Sequence, residues 1–205
     1  SNQVFFCGIF VFYFFLNTAF LFHMPEEKNQ LAYKIQNDTI IQAVFSKNDI
    51  EQLAKLRQMV DKMVLKQTGE KNTNTAYIRF VNHLKQSKTT LQLSEKIKLS
   101  HDSVVLLINT NSALGELFRI DEQMNHQNQI SLNLSGKMLP FVKKLSGENP
   151  HYSSIHESIL IAGDISPSVI SDFIFNPESY NLKSEAEKLY ASLLIVVLTN
   201  QTVIK

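Results

Sequence analysis

The stretch NDIEQLAKLRQMVDKMV, residues 48–64, decides the fold class of this 205-residue chain. Its apolar side chains recur at three- and four-residue spacing, as on one face of an α-helix. Ser46 or Asn48 is placed to cap the start of this helix, and Gly69 is placed to end it. The pattern predicts one long amphipathic helix over about residues 49–66.

A second long helix is predicted downstream, from Asp102 to about Met124, because apolar residues again line one side of the stretch. Packed antiparallel to the first, it would form the spine of a mainly α helical bundle. Ser166 followed by Pro167 predicts another helix start, with an end near Phe175. Residues 26–205 are therefore expected to form a single, mainly helical domain.

An α/β sensor fold is the alternative, with a long N-terminal helix and a small antiparallel sheet. In that fold the segments YIRFV, SVVLLIN, ELFRI and SLLIVVL would be strands, and a turn would fall at residues 109–111. The apolar end of the chain, Leu193–Leu198, is too short to span a bilayer alone. It suits a buried C-terminal helix, a central strand, or the approach to a second membrane crossing.

The first 25 residues contain no charged side chain, and Val4–Phe22 reads VFFCGIFVFYFFLNTAFLF. A helix of roughly 20 such residues is long enough to cross the hydrocarbon core of a membrane. The same run also suits a buried core helix of a soluble protein. Residues 1–25 are therefore interpreted as a membrane anchor or, alternatively, as a core helix.

The charge balance argues against a general nucleic-acid binder, since the formal net charge is only +1. The charges are unevenly spread: residues 75–101 are mainly basic, and residues 148–187 are mainly acidic. Such segments either face each other, orient a partner, or lie on solvated surfaces.

No catalytic signature is present in the sequence. It has no glycine-rich phosphate loop, no G-x-S-x-G elbow and no H-E-x-x-H pair, and Cys7 is its single cysteine. The sequence therefore predicts no enzyme activity, catalytic residue, metal site or cofactor.

Three arginines, against 17 lysines, each lie within an apolar stretch: Arg57 in KLRQMV, Arg79 in YIRFV and Arg119 in LFRID. A guanidinium at the edge of a core is suited to bidentate capture of an anion. Arg79 and Arg119 are the preferred ligand-binding residues, Arg119 because it would face a cleft from the long second helix. Arg57 ranks third, because Asp61 lies four residues on and is placed to pair with it.

The layout resembles the extracytoplasmic sensor region of bacterial membrane receptors of the histidine kinase and chemoreceptor type. The resemblance covers about 60 residues: the apolar run, then Ile40, Ile41, Ala43 and Val44, then SKND, then the helix from Ile50. It implies a membrane-anchored, extracytoplasmic domain that binds a small anion or a binding-protein partner, with a homodimer as one possible assembly. The competing hypothesis is a soluble helical interaction module that has residues 4–22 as its core helix.

Overall fold

The computed structural model describes residues 24–86, 99–122, 128–162 and 167–200. The predicted mainly α fold is confirmed over these ranges. The helices are α1 (Met24–Gln36), α2 (Thr39–Gln42), α3 (Lys47–Thr68), α4 (Thr73–Gln86), α5 (His101–Thr110), α6 (Ser112–Gly115), α7 (Met138–Leu145), α8 (His151–Ala162), α9 (Pro167–Phe175) and α10 (Glu185–Asn200). A 3₁₀ turn spans Pro177–Ser179, and strands β1 (Phe118–Glu122) and β2 (Asn128–Leu132) form a small sheet.

Helix α3 confirms the first predicted helix, including both of its ends. Ser46 and Asp49 form a capping box, in which the Ser46 hydroxyl accepts from the Asp49 N–H at 3.3 Å and the Asp49 carboxylate accepts from the Ser46 N–H at 2.8 Å. Gly69 closes the helix in the left-handed conformation, at φ 69°, and its N–H donates to the Leu65 carbonyl. Local sequence alone therefore fixes this element.

The predicted helix over 102–124 is wrong, and with it the antiparallel two-helix spine. Helix α5 ends at Thr110, α6 is a single turn, and β1 follows. Asn111 is extended, and its side-chain amide donates to the Leu107 carbonyl at 2.6 Å, which closes α5. The Ala113 N–H then donates to the Gln52 side chain of α3 at 2.9 Å, so a tertiary contact holds the next turn.

The α/β alternative is also wrong, apart from one strand. Its ELFRI segment overlaps β1, which pairs antiparallel with β2 so that Phe118 lies opposite Leu132 and Ile120 opposite Ile130. The other three proposed strands lie in α4, α5 and α10. The predicted helix from Pro167 to Phe175 is confirmed as α9.

Helix α10 is the centre of the hydrophobic core. Fifteen of its 16 residues are buried, and Leu193 through Val196 have no exposed surface. It packs against α1, α3, α9 and β2. The segment Leu193–Leu198 thus confirms the buried-helix alternative, since it lies within α10 and is buried.

Within the described ranges, no helix combines the length and apolarity needed to cross a bilayer. The apolar run at residues 4–22 lies outside those ranges, so its two interpretations stay predictions.

Candidate functional site

Polar and ionisable side chains gather on two opposite faces of the first turns of α10. Glu185, Lys188 and Ser192 contact α3 and α4. Glu187 and Tyr190 lie on the other side, since successive residues turn by about 100° around a helix. They contact α8 and the segments around the 3₁₀ turn. The central helix is therefore held by polar contacts on both faces.

The first group, here called the charged cluster, comprises Arg57, Asp61, Glu185 and Lys188. The Arg57 Nε donates to Asp61 at 2.7 Å, and its Nη1 lies 3.4 Å from Glu185. Lys188 donates to the other Glu185 oxygen at 2.6 Å and to the Asn74 side chain at 2.9 Å. Two cations thus meet two carboxylates, and the cluster has no net charge.

Burial makes this cluster unusual, because the Arg57 side chain is only 1% exposed. Its guanidinium lies over the Tyr77 ring, 5.2 Å from the centroid, and the Tyr77 hydroxyl contacts the Ser192 hydroxyl at 2.7 Å. Burial alone would lower the pKa of Arg57, but Tyr77 and the carboxylates raise it overall. Burial lowers the pKa of Lys188, although its bond to Glu185 opposes this.

Asp38 connects the same end of α10 to the first helices. One of its carboxylate oxygens caps α2 by accepting from the Ile40 and Ile41 N–H groups. The other accepts from the Ala186 N–H at 3.1 Å. The break between α1 and α2 is therefore bonded directly to the first turn of α10.

The second group, here called the tyrosine cluster, comprises Tyr152, Tyr180 and Tyr190 with Glu187, Asp172 and His151. The three tyrosine rings lie in contact, with centroids 5.1 to 6.3 Å apart. Glu187 is 5% exposed and accepts from the Tyr152 hydroxyl at 3.2 Å and from the Asn181 N–H at 2.7 Å. This buried carboxylate is held by neutral donors and has no cation within ion-pair distance among the described residues.

Asp172 forms the outer edge of the tyrosine cluster. It accepts from the Tyr180 hydroxyl at 2.6 Å and lies 2.7 Å from the His151 Nε2. Burial raises the pKa of Asp172, but hydrogen bonds from Tyr180, Asn176 and His151 outweigh it and lower the pKa overall. Asp172 therefore links the start of α8 to the end of α9 as a carboxylate.

Tyr190 differs from its neighbours. It has no exposed surface, and its hydroxyl is the buried side-chain polar atom without a hydrogen-bond partner in the described part of the chain. Burial raises the pKa of Tyr190, so the phenol stays protonated.

The three arginines proposed from the sequence lie on three elements and pair with three different carboxylates. Arg57 is in the charged cluster, where its predicted pairing with Asp61 is confirmed. Arg79 lies on α4, is 54% exposed and pairs with Glu70 at 2.6 Å. Arg119 lies on strand β1, not on a long helix, and its 59%-exposed side chain pairs with Asp121 at 2.8 Å. The expectation that Arg119 faces a cleft from a helix is therefore wrong.

No motif in the sequence marks Glu185, Lys188, Glu187 or the tyrosines as functional residues. Glu185 and Glu187 belong to the acidic segment 148–187, which also carries Tyr152 and Tyr180. Acids interleaved with tyrosines were the available signal, because phenol hydroxyls can satisfy a buried carboxylate.

Comparison with family models, with curated proteins and with solved structures finds no match to this chain. Among the described residues, no three His, Cys, Asp or Glu side chains are placed to hold a metal ion together.

Proposed function

We propose that this chain is the extracytoplasmic ligand- or partner-binding domain of a membrane-anchored signal-transduction receptor, with residues 4–22 as its membrane segment. The observation that carries the proposal is the burial of α10. The competing hypothesis, a soluble interaction module, needs residues 4–22 as the central core helix. That central position is occupied by α10, which is buried over 15 of its 16 residues and packs against α1, α3, α9 and β2.

The contacts of α1 support a role in transmission. This helix directly follows the apolar run in the chain, and Ile35, near its end, is fully buried. It packs along α3 and touches α10. Asp38 then ties the end of α1 to the first turn of α10. A displacement of α10 on binding would therefore act on the helix nearest the membrane.

A small anion is the proposed ligand class, and Arg79 is its first contact. Arg79 is exposed, as is His83 one turn further along α4, and residues three or four apart share a helix face. Arg119 is the second exposed arginine, whereas the buried Arg57 is already neutralised by Asp61 and Glu185. An incoming anion would have to compete with Glu70 at Arg79.

Membrane fractionation of charge variants tests the anchor. Phe14→Arg and Phe15→Asp each place a charge in the middle of the apolar run, with Phe14→Leu as the matched control. A charge at the centre of a membrane helix costs about 2.5–3.5 kcal/mol. We expect the charged variants to leave the salt-washed membrane fraction while keeping the thermal unfolding temperature of the parent domain.

The two hypotheses differ in what these variants do to the fold. If residues 4–22 were a core helix, the charged variants would unfold the domain, and the parent protein would stay in the soluble fraction.

Labelling of a Ser153→Cys variant by a membrane-impermeant maleimide, with Cys7→Ser as background, tests the side of the membrane on which the domain lies. Labelling only after the membrane is broken would refute the extracytoplasmic position.

A thermal-shift screen tests the ligand class, using small carboxylates, nitrate and phosphate. Loss of one charged contact should weaken binding about ten- to a hundredfold, which corresponds to about 1.5–3 kcal/mol. We expect Arg79→Ala to remove the shift that an anion produces. A shift that survives Arg79→Ala and Arg119→Ala unchanged would show that these arginines do not bind the anion.

A further inference from the structure

A solvent-open cleft of about 400 Å³ lies between α5, α6 and strand β1. It lies at the break between the two helices, where Asn111 has an extended backbone and ends α5. Small-molecule sites in proteins usually have volumes of about 300–1,000 Å³. The cleft is therefore large enough for a small organic ligand, and Arg79 does not line it.

The lining of the cleft is polar and uncharged. Asn109, Asn111 and Ser112 supply its polar side chains, and none of the lining residues is ionisable. The apolar residues behind them are nearly covered, since Ile108 is 5% exposed and Phe118 is 2% exposed. The cleft therefore offers hydrogen-bonding groups rather than a charge or a large apolar surface, which favours a neutral polar ligand.

The polar side chains of the cleft have hydrogen-bonding capacity to spare. The side-chain amide of Asn111 donates to the Leu107 carbonyl at 2.6 Å and to the Thr110 hydroxyl at 3.0 Å, which leaves its side-chain carbonyl as an acceptor. Within the described part of the chain, the Asn109 amide and the Ser112 hydroxyl have no hydrogen-bond partner. Both can donate and accept, as the hydroxyl groups of a ligand also can.

Gly115 leaves one wall of the cleft open. A Cβ built on this residue would meet no atom within 4 Å. The Gly115 carbonyl accepts from the Asn133 side-chain amide at 2.9 Å, so the hairpin holds this turn in place. The open space is thus bordered by a backbone that is fixed from the other side.

We propose that this cleft binds a small neutral compound with several hydroxyl groups, of the monosaccharide or polyol class. The hydroxyl groups of the ligand bond to Asn109, Asn111 and Ser112, and its C–H groups lie against the half-buried Ile120. The proposal does not use Arg79, and it stands whether or not residues 4–22 cross a membrane.

A ligand in the cleft would act on α3. Ala113 follows Ser112 directly, and its N–H donates to the Gln52 side chain of α3 at 2.9 Å. Helix α3 also carries Arg57, which contacts Glu185 at the start of α10. The cleft is therefore connected through α3 to the charged cluster.

Amide chemical shifts of the full chain test the ligand class, with glucose, N-acetylglucosamine and mannitol as probes and no glycoside detergent present. We expect saturable shifts at residues 109–115 with at least one of these compounds and none there with acetate. The ring sugars and the linear mannitol distinguish the two kinds of polyhydroxyl ligand. Shifts at residues 109–115 with acetate alone, or with none of the probes, would overturn the proposal.

Side-chain truncation tests the contacts. Asn109→Ala and Ser112→Ala each remove a neutral hydrogen-bonding group, so each should weaken binding about fivefold, the factor that corresponds to about 1 kcal/mol. Ser103→Ala is the matched control, because Ser103 is exposed on α5 and does not line the cleft. Equal affinities of all three variants and the parent would contradict these contacts.

Filling the cleft gives a steric test. Gly115→Leu places a branched side chain at the open wall and should abolish binding, whereas Gly115→Ala adds one methyl group and should keep most of it. Thermal unfolding reports on the fold of each variant. Asn109→Leu, at an exposed helix position, is a second blocking variant for the case that Gly115→Leu is unstable. Binding that stays unchanged in a folded blocking variant would refute this site.

Discussion

At the scale of single residues, the buried charged groups of the described core each have identified partners. The Arg57 guanidinium contacts Asp61, Glu185 and the Tyr77 ring. The buried Glu187 carboxylate accepts from three neutral donors: the Tyr152 hydroxyl, the Asn181 N–H and the Asn149 side-chain amide. Breaking one partner of a buried charged pair typically costs about 3–5 kcal/mol, because the other charge stays buried alone. These contacts therefore hold the relative position of the helices more strictly than apolar packing would.

The tyrosine cluster offers a matched pair of substitutions. Tyr190→Phe removes a buried hydroxyl that has no partner, so the free energy of unfolding should stay level or rise by about 1 kcal/mol. Tyr152→Phe removes a donor to the Glu187 carboxylate and should lower the free energy of unfolding by about 1.5–3 kcal/mol. Urea unfolding of both variants measures the difference. A loss in Tyr190→Phe as large as in Tyr152→Phe would contradict the assignment of a partnerless hydroxyl.

At the scale of elements, the sequence predicted a helix correctly where the residues that begin and end the helix lie next to it in the chain. Helix α3 has its capping box and its left-handed glycine within its own sequence. The stretch 102–124 has an apolar stripe of similar length, but its interruption at Asn111 is reinforced by Gln52 from another helix. Pairing of β1 with β2 depends likewise on a segment that comes later in the chain. Such contacts are invisible to a periodicity argument.

The candidate site shows the same difference between contacts that neighbouring residues make and contacts that join distant parts of the chain. The pairing of Arg57 with Asp61 follows from a four-residue spacing and was predictable. Its contact with Glu185 joins residues 128 positions apart, which no local pattern encodes. The exposure of Arg79 and Arg119 was equally out of reach, because it depends on which neighbouring elements cover α4 and β1.

One close backbone approach at the end of the hairpin yields an element-scale prediction. A Cβ added at Gly136 would lie 2.1 Å from the Glu116 carbonyl oxygen, which accepts from the Lys137 N–H at 2.8 Å. Gly136→Ala should therefore lower the free energy of unfolding by at least about 1–3 kcal/mol, the usual cost of overpacking.

Gly115→Ala is the matched control for this substitution. A Cβ at Gly115 would meet no atom within 4 Å, and alanine favours a helical backbone, so stability should stay level or rise by up to about 1 kcal/mol. Denaturant unfolding of the two variants compares them directly. Equal stability of Gly136→Ala and Gly115→Ala would contradict the close approach.

At the scale of the whole molecule, α10 organises both the core and the candidate site. Its apolar C-terminal half is enclosed, and its N-terminal half is bonded to α2, α3, α4 and α8 through side chains of both faces. A ligand that displaced a partner of Glu185 or Lys188 would therefore disturb several helices at once. This coupling is what the proposed receptor function requires of the domain.

Acid stability follows from two aspartates in separate parts of the molecule. Burial raises the pKa of Asp49, but Lys137 and Ser46 outweigh it, and both Asp49 and Asp172 have a pKa below the ordinary value of 3.8. A carboxyl group with a lower pKa in the folded state binds fewer protons there than in the unfolded chain. Its stabilisation is complete above the unfolded pKa and is lost as the pH falls through the folded pKa. The domain should therefore lose stability as the pH drops below about 4.

Urea unfolding between neutral and acid pH measures this loss, with Asp49→Asn and Asp172→Asn as variants. Each substitution removes one titrating group, so each variant should start less stable at neutral pH and show a shallower fall on acidification. The two aspartates share no hydrogen-bonding partner, since Asp49 bonds to Lys137 and Ser46 while Asp172 bonds to His151, Tyr180 and Asn176. Their effects should therefore add in the double variant. If the free energy of unfolding of both single variants falls on acidification as steeply as that of the parent, other groups cause the loss. A double variant whose effect is not the sum of the two single effects would show that α3 and α9 are coupled through the core.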